Sequence, residues 1–386
     1  MKRITVTAFA TILVFLFSQC NTKEGSFATK KKISGNDVIV CDVTAINDTT
    51  PTLFSEIISK CEMIIPQASP ESLMKSPSHI DVSENYIAIK SNGGIPVKLF
   101  TRDGKFVRNI GAIGRGPGEY GSLYGIQLDE SRNRIFLTPF ANADRLLVFD
   151  LEGNSLPAIP LTHGQAKTRV YVNQDTLTVL GMRFDKNHPF AYQQTIDGKI
   201  IKEAPLLDHL IVKPDFSNEI YSGKNGGSYD IFILDWYRTT PDTLYHFNVQ
   251  KNSLEPKFVL EGKPIDDLKE NAYENPVASL FELKRHYHGM ISGSGFFKRV
   301  IVDKKTLKAK HFKLINDFYG GIELTNIFST NNGLLIASIP AVRLMAQLEQ
   351  MLNDVDIHGE RRKQLTEMLE SLDENDNDVI FLGEMI

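Results

Sequence analysis

His286-Tyr287-His288 is the one close histidine pair in the chain, and on a strand the alternation of side chains puts both imidazoles on the same face. Two imidazoles could start a metal site. The remaining ligands would have to come from other elements, and no such set can be picked out, so no metal or catalytic residue is assigned and a surface pair is expected. Asp235-Trp236-Tyr237-Arg238 holds the only tryptophan, beside a tyrosine and an arginine. These types dominate binding hot spots and stack on sugars, so Trp236, Tyr237 and Arg238 are candidate ligand-binding residues. The plainer reading is a core tryptophan with Arg238 as its capping donor. Gly114-x-Gly116-x-Gly118 has the glycine spacing of a phosphate loop but lacks Gly-Lys-Ser/Thr, and Pro117 interrupts it before more strand pattern. We read Gly114, Gly116, Pro117, Gly118, Glu119 and Tyr120 as a structural loop. Its glycines, Gly116 among them, supply backbone freedom and Glu119 accepts backbone N–H bonds; Arg115 and Tyr120 are within reach of a ligand, but a solvated loop is the expected state. No Gly-x-Ser-x-Gly nucleophile turn occurs.

The elements that would position these groups repeat. An apolar strand, a tight corner and a second apolar strand recur around Asp103-Gly104, Glu152-Gly153 and Asp197-Gly198, at intervals of 49 and 45 residues. Degenerate copies follow at Lys251-Asn252 and Lys304-Lys305. Asp-Gly between alternating strands is a strong hairpin signal, because the turn requires positive φ. Each corner sits in a unit of about four strands, and that period predicts an all-β, six-bladed β-propeller with four-stranded antiparallel blades. The sixth blade is expected from both chain ends: Ile322–Phe328, Leu334–Ile339 and Val379–Leu382, with Cys61–Ile65 as its last strand. Helical spacing at Leu344, Leu348, Met351 and Val355, then at Leu365, Met368 and Leu372, predicts a helical hairpin within an insert at 342–376. As an insert it would cover an edge or a face and contribute little to the ring.

At the N-terminus, Lys2 and Arg3 precede a 14-residue uncharged run, Ile4 to Phe17, too short for a membrane span of ~20 residues. Cys20 follows, and the chain then turns polar. This resembles a bacterial lipoprotein signal: residues 1–19 removed, Cys20 acylated, 20–36 a flexible tether and 37–386 the propeller. Cys41 and Cys61 are the other cysteines, either a disulfide or two buried thiols in neighbouring strands, the second being preferred.

Lys plus Arg number 43 against 47 Asp plus Glu, and no block concentrates basic charge, which argues against a nucleic-acid partner. The stretch Gly104-Lys-Phe-Val-Arg-Asn-Ile-Gly111-Ala-Ile-Gly114-Arg-Gly116-Pro117-Gly118-Glu119-Tyr120 resembles the NHL-type repeat. More closely, it is similar to the six-bladed propeller lipoproteins of Gram-negative anaerobes. Asp242-Thr243-Leu244-Tyr245, Pro256-Lys257-Phe258 and Asn377–Leu382 match further elements of that group. The resemblance implies no catalytic residues and no cofactor. The expected role is an envelope binding module, lipid-anchored at the outer membrane, that presents a propeller face to a protein, peptide or glycan. The alternatives are a metal-dependent lactonase- or lyase-like enzyme and a structural subunit docked through the helical insert.

Overall fold

A computed structural model describes residues 27–47, 49–141, 143–225, 228–238, 240–262, 276–293, 296–329 and 333–386. The expected signal segment and Cys20 lie outside these. Among the described residues no helix is long and apolar enough to cross a membrane.

Six antiparallel sheets are arranged as the blades of a propeller. Blade 1 runs through Pro77–Val82, Tyr86–Ser91, Val97–Thr101 and Phe106–Ile110, from inner to outer strand. Blade 2 is Leu123–Asp129, Arg134–Pro139, Ala143–Phe149 and Ser155–Gln165; blade 3 is Thr168–Asn173, Thr176–Gly181, Ala191–Thr195 and Ile200–Glu203. Blade 4 is Glu219–Asn225, Ser228–Leu234, Asp242–Asn248 and Ser253–Glu261, and blade 5 is Val277–Glu282, His286–Gly293, Phe296–Asp303 and Ala309–Asn316. Blade 6 joins Asn326–Ser329, Leu334–Ile339 and Val379–Met385 to the N-terminal strand Ile58–Ile64, the two-ended closure expected from sequence. Ile322–Leu324 departs from that expectation: it pairs with the outer strand of blade 5.

The repeated corners all join the third and fourth strands of a blade. Gly104, Gly153 and Gly198 have φ of +88°, +84° and +89°, and Asn252 replaces glycine at +53°. In blade 5 the left-handed residue is Leu307, at +61°, so that copy is disguised in the sequence. Strands such as Leu334–Ile339 and Val379–Met385 are buried at nearly every position, because neighbouring blades cover both of their faces. The core is therefore divided into interblade clusters, such as Leu99, Ile126, Leu137 and Phe149 between blades 1 and 2, or Ile80, Phe100, Ile336 and Ile380 between blades 6 and 1.

Three expectations need correction. First, part of the supposed tether is sheet. Ala28–Ile33 pairs with Asn36–Asp42, which lies parallel to the outer strand of blade 4. Lys30, Lys31 and Lys32 are exposed on this edge, where their charge blocks further strand addition. A third strand, Thr49–Leu53, runs parallel to the outer strand of blade 5. Second, the helical hairpin belongs to the core. Helix α1 (Ala341–Leu352) and helix α2 (Gly359–Glu370) bury Leu344, Leu348, Leu365 and Met368 against Phe54, Phe312, Leu314 and Leu324. The Gln347 amide bonds both backbone groups of Glu323, and Arg361 Nε donates to the Gly320 carbonyl. Val355 does not extend the stripe; it follows α1 and is 90% exposed. Third, Cys41 and Cys61 are free and stand in different sheets, beside blade 4 and in blade 6, not in neighbouring strands. Burial pushes each thiol up to about 12.

Candidate functional site

The inner strands surround an axial cavity of about 300 Å³, lined from every blade: Asp81 and His79 from blade 1, Ile126 from blade 2, Arg169 and Tyr171 from blade 3, Tyr221 and Asp230 from blade 4, Phe281 from blade 5 and Ile327 from blade 6. Side chains of the inner strands fasten blades 1 to 4 to one another in turn. Leu128 N–H donates to Asp81 Oδ2 at 2.7 Å, and Gln127 bonds Val172 N–H and C=O at 2.8 and 2.9 Å. The hydroxyls of Tyr171 and Ser222 lie 2.7 Å apart. Burial pushes the Asp81 carboxyl up to about 7, and burial with the nearby Glu282 charge pushes Asp230 up to about 6.

At one end the cavity continues into a mouth of about 490 Å³ that shares Ser78, Arg169 and Tyr221 with it. Lys90, Tyr120, Tyr124, Phe140 and Glu219 complete this mouth. Lys167, fully buried, donates to the carbonyls of Phe216 and Asn218 and to Glu219 Oε1, while the Tyr124 hydroxyl donates to Glu219 Oε2 at 2.7 Å. Arg169 stacks on the Tyr124 ring at 4.4 Å, with Nη1 donating to the Tyr124 carbonyl at 3.1 Å. Lys90 Nζ donates to Ser78 Oγ at 2.7 Å; burial and the Arg169 charge lower its pKa to about 8. Ile126 N–H donates to His79 Nδ1 at 3.3 Å, and burial next to Arg169 and Lys90 keeps that imidazole neutral.

The Gly114–Tyr120 loop forms part of the rim through Tyr120, after an ordinary interblade crossing from Phe106–Ile110 to Leu123–Asp129. Glu119 accepts the Gly116 N–H at 2.8 Å, as its position suggested. The Tyr120 hydroxyl donates to the Ile110 carbonyl and accepts the Val97 N–H, at 2.6 and 2.8 Å, and burial pushes it up to about 12. Arg115 and Pro117 are exposed. Gly116 is not where backbone freedom is needed: positive φ occurs at Gly111 (+63°) and Gly118 (+74°). A methyl group on Gly111 would also stand 2.8 Å from Tyr120 and 2.9 Å from Phe149. Gly111→Ala should therefore destabilise by ~2–4 kcal/mol and Gly116→Ala by less than ~1 kcal/mol, as read from urea midpoints. Equal effects would show that the crowding at Gly111 relaxes freely.

Asp235–Arg238 stands away from the cavity lining, in the turn after Ser228–Leu234. Trp236 Nε1 donates to the Ser217 carbonyl at 3.1 Å, the Tyr237 hydroxyl to Asp215 at 2.7 Å and Arg238 Nη2 to the Ile233 carbonyl at 3.0 Å. Lys213 Nζ covers the Tyr237 ring at 4.0 Å. The cluster binds its own neighbouring loop.

The histidine pair is not a surface pair. His286 faces Asp303, but His288 is 1% exposed, wedged between the rings of Phe281 and Phe312, and neither of its nitrogens has a partner among the described residues. Burial and the Arg299 charge hold its pKa well below 6.5. The unfolded state therefore binds the extra proton below pH 6.5, so this histidine's contribution is complete above that pH and is lost on acidification. His288→Phe should add about 1–2 kcal/mol at pH 7, and its advantage over the wild type should grow toward pH 5. Asp81 and Asp230 act with the opposite sign in both proteins and cancel in the difference. A constant difference in denaturation midpoint across that range would refute the assignment.

The fold and the cavity define a six-bladed β-propeller with an axial binding-sized cavity. The chain belongs to the DUF4934 family, described as a domain of unknown function, which matches residues 37–384. No curated protein matches the chain. Among solved structures it is similar to a "putative exported protein" of Bacteroides fragilis, at 15% identity and a TM-score of 0.61, over 90% of this chain and 99% of that one. Hydrazine synthase of Kuenenia stuttgartiensis aligns at 9% identity and a TM-score of 0.42, over 72% of this chain and 78% of the other. The computationally designed Ika8 protein aligns at 9% and 0.39, over 73% and 85%.

Proposed function

We propose that this protein is a lipid-anchored binding module of the cell envelope that takes the end of a protein, peptide or glycan ligand into its axial cavity. The carrying observation is the cavity itself. It is reached through an open mouth and is of the size range of ligand sites, with an apolar wall of Ile80, Ile126, Leu280, Phe281 and Met290 interrupted by the polar side chains of Ser78, Thr138, Tyr171, Ser222 and Ser279. A Ser279→Phe variant fills it without touching the interblade fastenings of blades 1 to 3. The variant should still fold with a cooperative melt and lose binding to whichever glycan or peptide the wild type captures from an array. Unchanged binding would move the site elsewhere.

The envelope location is supported by Lys2, Arg3 and Cys20, and by likeness to a protein named as a putative exported one. Several acyl chains on one cysteine, at ~0.8 kcal/mol per buried CH₂, anchor a protein essentially permanently. Cys20→Ala should abolish incorporation of labelled palmitate and leave a folded, unanchored precursor. Wild-type labelling of that variant would overturn the lipidation.

A further inference from the structure

We infer that the mouth of the axial cavity is a seat for the carboxylate of an acidic sugar, held by Arg169 and Lys90 with the sugar ring against Tyr221. The inference rests on the binding role proposed above and gives it a ligand class.

Charge carries the first part. Among the described residues lining the mouth, Glu219 is the one carboxylate, and Lys167 and Tyr124 already occupy both of its oxygens. Lys90 and Arg169 remain, and neither forms an ion pair among the described residues. Two cations are thus held side by side in a concave site, each raising the cost of the other, an arrangement that an arriving anion relieves. Arg169 is fixed for the task. Its plane is stacked on Tyr124, Nη1 and Nε are committed to the carbonyls of Tyr124 and Ile220, and Nη2 donates to nothing among the described residues. His79 adds a neutral donor: with Nδ1 accepting from Ile126, its proton sits on Nε2.

The wall decides what the anion is attached to. A peptide terminus would want apolar pockets and backbone partners. The mouth, where the two cations sit, is instead lined mainly by polar side chains, Ser78, Ser91, Asn92, Ser122 and Tyr221, and the apolar side chains lie in the cavity beyond it. Tyr221, 40% exposed and backed by the Phe232 ring at 6.4 Å, gives a flat aromatic wall of the kind on which sugar rings stack.

The test titrates detergent-solubilised full-length protein by calorimetry. The probes are short oligomers of galacturonate, glucuronate, mannuronate and guluronate, their methyl esters, and a short peptide with a free carboxyl terminus. At least one uronate should bind, and its methyl ester should bind at least tenfold more weakly. Arg169→Gln and Lys90→Gln should each weaken binding at least tenfold while the protein still melts cooperatively. Arg169→Gln also gives up its bonds to the Tyr124 and Ile220 carbonyls, so Lys90→Gln, which has no such interblade role, guards against a variant that misfolds. Equal binding of acid and ester, insensitivity to both substitutions, capture of the peptide alone, or no binding of any uronate would overturn the inference. Retained binding of a neutral glycan that Ser279→Phe abolishes would remove only the acidic-sugar assignment, whereas binding insensitive to Ser279→Phe would count against the cavity itself.

Discussion

A chain ending at Asp378 should fail to fold and should aggregate on expression. The missing strand, Val379–Met385, lies between Leu334–Ile339 and Ile58–Ile64, so its loss both opens blade 6 and detaches the N-terminal strand that closes the ring. Val379, Ile380, Phe381 and Leu382 are all 2% exposed or less. At ~1.5–3 kcal/mol for each buried side chain, their loss is comparable to the whole ~5–15 kcal/mol margin of a typical domain. The strands left behind would present unpaired edges, which invite aggregation. A soluble truncated protein with a cooperative melt would show that the ring does not depend on this closure.

Replacing 341–372 with a Gly/Ser linker should be nearly as damaging, contrary to what its position between two strands suggests. Leu344, Leu348 and Leu365 are fully buried, and Ile357, Met368 and Leu372 are 9% exposed or less, all within one cluster with blades 5 and 6. Deletion would expose Phe312, Leu314 and Leu324 and free the backbone of Glu323. Two point variants grade the effect: Leu344→Ala and Leu365→Ala should each cost ~2–5 kcal/mol. A deletion variant that stays soluble, with a wild-type melting temperature, would return the hairpin to the status of a surface insert.

The blades were legible because each repeats a local device, a strand pair around a left-handed corner, and local devices leave marks in sequence. The closure was legible too, since strands at both ends were left without local partners. The Ala28–Ile33 strand was not, because Ala-Thr-Lys-Lys-Lys-Ile reads as polar linker and its neighbour Asn36–Asp42 is held by a strand more than 200 residues away. The hairpin's apolar stripe was visible, but the surface that receives it is assembled from segments scattered along the chain, Phe54, Phe312 with Leu314, and Leu324 among them. The candidate site was hidden more deeply. His79, Lys90, Tyr124, Arg169 and Glu219 come from four blades and form no motif. The compact Asp235–Arg238 group drew notice by its residue types and is spent on its own loop.

The path of the N-terminal segment has a consequence for when this protein can fold. Its strands attach to blades 4, 5 and 6 in turn, with Asp42 opposite Glu261, Leu53 opposite Ile315 and Ile64 opposite Ile380. Thr49–Leu53 and Ile58–Ile64 are therefore made long before the strands they pair with, and the local pair Ala28–Ile33 and Asn36–Asp42 must wait for blade 4, at sequence separations of 262, 316 and 219 residues respectively. Pairings of that range are slow, because the closure entropy comes before any contact compensates for it. The ring cannot close until Val379–Met385 pairs with Ile58–Ile64, so blades built from local hairpins precede the joint that locks them into a circle.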